Sequence, residues 1–137
     1  MIFLNNFRPL KFKFLVTPDV SGLMKFQMTN KKRFDLEDRT AKFGEDIIEF
    51  AKKIPLNPIN LPLITQLVKA GTSVGANYSE ADCAESKRDF EHKIGICKKE
   101  SKESKHWLRM ILKAVPRLKD EAKILWKEAS ELHPVRY

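Results

Sequence analysis

Apolar and small residues recur at alternating steps of three and four along four stretches of the chain, the pattern of helices that pack against other helices. Over 35–54 the repeating positions are Leu36, Thr40, Phe43, Ile47, Phe50 and Ile54. Over 61–83 they are Ile64, Leu67, Gly71, Val74, Tyr78 and Ala81, and over 87–114 they are Phe90, Ile94, Cys97, Ser101, Ser104, Leu108 and Ile111. Leu118, Ala122, Leu125, Ala129 and Leu132 continue the pattern over 117–132. The punctuation between these stretches agrees with it. Asp35 is the expected N-cap of the first helix, with Glu37 and Asp38 in a first turn whose dipole favours acids. Pro55 and Pro58 stop that helix, Ser86 with Asp89 three residues on caps the third, and Val115-Pro116 ends the third and opens the fourth. Connections this short make successive helices antiparallel. The predicted fold is therefore all-α: an up-down-up-down four-helix bundle over 35–133, with a short end at 134–137.

Residues 1–34 show no helical period and are expected to form a basic, poorly ordered or weakly structured tail. Lys11 and Lys13 break its one apolar run and no small-residue cleavage site follows, so a secretion signal is not expected. Met24 and Met28 offer later starts for translation, in which case residues 1–23 are not part of the protein. Within the second helix, Gly71, Ser73, Gly75 and Ala76 make an unusually slim stretch. An interior glycine costs about 1 kcal/mol of helix propensity relative to alanine, so close approach by a neighbouring helix is expected there.

Charge sharpens this picture. Lysine and arginine total 26 against 18 acids, for a net charge of +8. Such an excess favours polyanionic partners without naming one. Seven basic groups and one acid fall in residues 1–34. No apolar run reaches the roughly 20 residues of a membrane span, so a soluble, cytoplasmic protein with no membrane partner is expected. Cys83 and Cys97 have no metal-like or redox-like spacing and are read as reduced thiols.

Candidate chemistry is sparse. GTSVG lacks the lysine of a phosphate-binding loop and falls inside a predicted helix rather than before one. Glu91-His92 and His106 do not reproduce the E-x-x-H spacing of a di-iron bundle, and no histidine shares the seam with Ser101 and Ser104. Neither a catalytic residue, a metal nor a cofactor is expected. The two serines, with Asn77 and Glu80, suggest a hydrogen-bonded layer between helices two and three. Trp107 and Trp126 each lie one position from the seam, where an indole seals a core or an oligomer contact, or stacks on a base.

The sharpest surface feature is a row of cations. Lys98, Lys102, Lys105 and Arg109 recur at one-turn spacing beside the third seam, with Lys87 and Arg88 near the start of the same helix and Lys113 beyond. At the level of sequence two readings stay open. One is a solvated face on which Glu100 and Glu103 form ordinary surface pairs, and the other is a surface that tracks the phosphates of RNA or DNA.

The segment GTSVGANYSEADCAESKRDFEHKIGICKKESKESKHWL at 71–108, preceded by FDLEDRTAKFGEDIIEFAKKI at 34–54, closely resembles the four-helix bundle proteins encoded by intervening sequences in bacterial 23S ribosomal RNA genes. The resemblance covers about 100 residues. It implies a left-handed bundle that assembles into a homopentamer. That family is also similar to the accessory variability determinant proteins of diversity-generating retroelements, which implies nucleic-acid binding on a basic surface and, as an alternative, docking of a protein partner such as a reverse transcriptase or RNA-processing factor. Two features depart from the pattern: the N-terminal tail, and a last helix that stops at HPVRY where relatives continue for further apolar turns.

Overall fold

A computed structural model describes the backbone of residues 15–18, 24–27 and 30–132 and the side chains of residues 36–132. Four helices form its body: α1 (Asn30–Ala51), α2 (Asn60–Asp82), α3 (Lys87–Ala114) and α4 (Lys119–Glu131), the last entered through a 3-10 turn at Pro116–Leu118.

Two short strands precede them, a departure from the reading of residues 1–34 as a tail. Strands β1 (Leu15–Pro18) and β2 (Met24–Gln27) pair antiparallel, with Leu15 opposite Gln27 and Pro18 opposite Met24. Val, Thr and Phe suit a pleated surface, and Met24-Lys25-Phe26-Gln27 alternates apolar and polar with the period of a strand. Residues 1–14, 19–23 and 28–29 of the segment read as a tail, and residues 133–137, lie outside the described residues, while residues 30–34 open α1.

Helix α1 begins at Asn30, five positions before the cap expected at Asp35. Lys, Lys, Arg and Phe at 31–34 contain no breaker, and Asn30 is itself of the capping type, so nothing stops the helix from extending backwards. Glu37 and Asp38 accordingly sit beyond its first turn. At its other end the backbone tightens: Lys53 N donates to Phe50 O and Ile54 N to Ala51 O, each at 3.1 Å. The connection that follows is stapled by two asparagines. Asn57 Oδ1 accepts from the backbone N–H of Ile59 at 3.0 Å and of Asn60 at 2.8 Å, capping α2 in place of a side chain at its first residue. Asn60 is buried and donates from Nδ2 to Pro55 O at 2.8 Å. Ser86 caps α3 as expected, accepting from Asp89 N at 3.1 Å.

The core follows the periodic positions closely. All six seam positions over 36–54, all seven of α3 and all five over 118–132 are buried. On α2 the seam is shifted: Ile64 is only half-buried, while Asn60 and Ala70 are buried.

The contacts of each helix fix its neighbours. Arg39, early in α1, bonds Glu128 and Glu131, late in α4, whereas Lys53, just past α1, pairs with Glu121 near the start of α4. Lys93 of α3 pairs with Glu80 of α2, and Cys97 Sγ lies 3.4 Å from Val74 O. Helices α1 and α2 meet through their glycines. A Cβ on Gly71 would lie 2.7 Å from Ile47 Cγ1, and one on Gly75 would lie 3.1 Å from Thr40 O. The slim stretch of α2 is thus where α1 comes closest.

The hydrogen-bonded layer expected between α2 and α3 is not formed by the serines. Ser104 Oγ donates to Glu100 O of its own helix at 2.9 Å, Asn77 Nδ2 donates to Ser73 O at 2.9 Å, and buried Ser101 Oγ has no partner. A hydroxyl inside a helix reaches its own preceding turn more readily than a facing helix. Burial among these groups pushes the Cys97 thiol up to about 11.

Candidate nucleic-acid interface

Helical geometry divides the outer surface of α3 into two flanks. One carries Lys98, Lys102, Lys105, Arg109 and Lys113. Glu100, Glu103 and Trp107 lie on the other. Each acid therefore faces away from the cations with which a surface pair was conceivable, and Glu103 Oε1 instead accepts from the indole N–H of Trp107 at 3.1 Å. Among the described residues, none of the ion pairs involves Lys98, Lys102, Lys105 or Arg109.

The neighbouring helix extends this cationic surface. Lys105 Nζ stands 4.2 Å from the ring centroid of Trp126, which fixes the flank of α4 that borders the stripe. By helical spacing Lys119 and Lys123 share that flank with Trp126, and neither takes part in an ion pair among the described residues. Three acids of α4 point elsewhere. Glu121, Glu128 and Glu131 are engaged on the α1 side by Lys53 and Arg39, and the carboxylates raise the pKa of the Arg39 guanidinium, chiefly through its hydrogen bond to Glu128. Charge is thus sorted by flank: paired between α1 and α4, unpaired and positive across α3 and α4.

The structure brings Lys98, Lys102, Lys105 and Arg109 onto one face, spanning about 16 Å at 1.5 Å per residue. Lys102 and Arg109 are exposed, while Lys98 and Lys105 are half-buried. Lys87 and Arg88 are exposed but stand apart, about 15 Å before Lys98 along the helix, and Lys87 pairs with Glu91 at 3.6 Å. Lys119 and Lys123 were missed by the sequence reading. Their spacing of four, continued by Trp126 three positions on, was the available signal.

A groove of about 500 Å³ between α1 and α4 is lined by Arg39, Lys42, Asp46, Ile124 and Glu128, its arginine occupied by carboxylates. Among the described residues there is no group of three His, Cys, Asp or Glu side chains able to hold a metal ion, and no helix long and apolar enough to cross a membrane.

Comparison with known proteins then decides the kinship. The sequence model of the 23S rRNA-intervening sequence protein family matches residues 32–135. The chain belongs to that family. Within it, the chain is similar to a protein of unknown function from the S23 ribosomal protein family of Bacteroides thetaiotaomicron, whose crystal structure shares 25% identity. That similarity covers 72% of this chain and 91% of the other, with a TM-score of 0.63. No curated protein matches the chain.

Proposed function

We propose that this family member is a non-enzymatic, cytoplasmic homo-oligomer that binds RNA or DNA through the α3–α4 face with little sequence specificity. The observation that carries the reading is the absence of carboxylate partners for Lys98, Lys102, Lys105 and Arg109, where their nearest acids in sequence could have neutralised them. Unpaired cations at one-turn spacing are poised to replace the counterions of a phosphate chain. The family's name ties it to a ribosomal RNA gene, which agrees with RNA as one such chain. Lys87 and Arg88 are assigned the outer edge of the same surface. For the architecture we propose the antiparallel, left-handed up-down-up-down bundle, supported by ion pairs that join the early part of α1 to the end of α4 and the end of α1 to the start of α4. The homopentamer is carried over from family resemblance, and it would repeat the cationic face around a ring.

The test is a titration of the full chain with labelled RNA and DNA at several salt concentrations, with mass measured by light scattering. Four phosphate contacts on a single strand give a slope of about −2.8 in log affinity against log salt, hence roughly 50-fold weaker binding at 200 mM than at 50 mM. Replacing Lys98, Lys102, Lys105 and Arg109 together by glutamine is expected to flatten that slope. Unchanged affinity in this variant refutes the assignment.

One observation favours a second reading, a scaffold that docks a protein. Leu56, Ile59 and Leu61 are exposed on and beside the α1–α2 connection, Leu56 by 77% and Ile59 by 72%. Apolar side chains gathered at one end of a bundle suit a protein contact, whose affinity changes little with salt.

A further inference from the structure

We infer that the ligand of the α3–α4 face is a single strand with unpaired bases, and that Trp126 is the platform on which one of those bases stacks. The inference deepens the nucleic-acid reading and rests on it. It begins from the contrast between the protein's two indoles. Trp107 is half-buried, its N–H is committed to Glu103, and its ring meets the edge of His106 at 4.9 Å between centroids. Trp126 is 48% exposed and lies on the outward flank of α4 that borders the cations.

Nothing in the core requires an indole there. The α4 seam is filled by Ala122, Leu125 and Ala129, and Trp126 sits beside it. What surrounds the ring is positive charge. Lys105 Nζ is over its face, and Lys102 and Arg109 lie about one turn to either side of Lys105, with Lys123 three residues before the tryptophan on α4. Glu100 and Glu103 of α3 and Glu121, Glu128 and Glu131 of α4 lie on other flanks. An aromatic face bordered by unpaired cations within a turn matches the two halves of a nucleotide: base on the ring, phosphates on the lysines and arginine. A duplex offers this surface only its phosphates, since its bases are stacked on each other, and would leave the indole unused. A single strand uses both. When a base takes the ring, Lys105 exchanges its contact with the indole for one with a phosphate.

The experiment uses the full chain with a fluorescent 12-nucleotide oligouridine or oligothymidine and, in parallel, a duplex of the same length. Intrinsic fluorescence is followed alongside binding. The expected result is tighter binding of the single strand and quenching of tryptophan emission on saturation. In Trp126→Phe, where Trp107 is the remaining indole, the quenching disappears while most of the affinity is kept by the smaller aromatic face. Trp126→Ala is expected to lose about 5- to 150-fold in single-strand affinity, with the salt slope unchanged and duplex binding unaffected. Salt-dependent binding by wild type with equal losses for single strand and duplex in Trp126→Ala, or with no quenching at saturation, overturns the stacking platform and leaves the cationic surface standing. Absence of salt-dependent binding to either probe overturns the nucleic-acid reading and the platform with it.

Discussion

Replacing Gly71 by alanine sets two effects of known size against each other. In a helix interior the change from glycine to alanine is worth about 1 kcal/mol of propensity in favour of folding. At Gly71 the new methyl would stand 2.7 Å from Ile47 Cγ1, 2.9 Å from Cγ2 and 3.1 Å from Cβ, and Ile47 is fully buried. That side chain has no open space to turn into, so the helices must part or the isoleucine must leave its rotamer, at about 1–3 kcal/mol. Gly95, on exposed α3 surface, supplies the internal reference, because a Cβ there meets nothing within 4 Å. Gly95→Ala is expected to stabilise by about 1 kcal/mol, and Gly71→Ala to lie about 1–3 kcal/mol below it. Urea unfolding of the three proteins measures the difference, and in melting temperature each kcal/mol corresponds to about 4–8 °C for a domain of this size. A double-mutant cycle with Ile47→Ala, which removes the two carbons that clash, is expected to make Gly71→Ala far less costly. If Gly71→Ala stabilises as much as Gly95→Ala, the close approach of α1 is not the reason for the glycine and the packing argument fails.

Four further outcomes follow from local geometry. Ser86→Ala removes the side-chain acceptor for Asp89 N and is expected to destabilise by about 0.5–2 kcal/mol in urea unfolding, with Ser86→Gly costing less. The buried Cys97 thiol is expected to resist alkylation at pH 8 while exposed Cys83 reacts, so a thiol titration reads one group in the native protein and two in denaturant. Because desolvation raises the folded-state pKa of Cys97 from 9.0 to about 11, its contribution to stability is full below pH 9 and is lost as pH climbs toward 11, which unfolding free energies across that window will record. Arg39→Gln breaks the bonds to Glu128 and Glu131, but its side chain is 32% exposed, so the expected cost is about 1 kcal/mol or less and shrinks with added salt.

The core was legible in the sequence because burial in a helix bundle is a matter of phase. Once Phe90, Ile94 and Cys97 set the phase of α3, Ser101 and Ser104 had to be inside, hydroxyls notwithstanding. The same logic failed at the start of α2. There Asn60 takes a buried place because it staples the α1–α2 connection through Pro55 O, and a polar residue beside two prolines carries no periodic signal of burial. Strands β1 and β2 were missed because four residues of alternation are too few to stand out from chance. The cationic row on α3 was readable from spacing alone. That Lys119 and Lys123 join it was not, because the flank of α4 that borders α3 is decided by tertiary packing, and the engagement of Glu121, Glu128 and Glu131 with α1 is decided by residues more than 60 positions away.

That last separation has a kinetic meaning. Contacts between α1 and α2, α2 and α3, and α3 and α4 all close across connections of a few residues, so little chain entropy opposes them. Bringing Arg39 to Glu128 and Glu131 joins positions 89 and 92 apart in the chain. Local contacts form early and distant ones late, which makes docking of α4 onto α1 the closing event of folding and its release the cheapest opening. Amide hydrogens of α4 should therefore exchange ahead of those in α2 and α3. The surface shared by Lys105 and Trp126 lies between α3 and α4, so it belongs to the local contacts and is assembled before α4 docks onto α1.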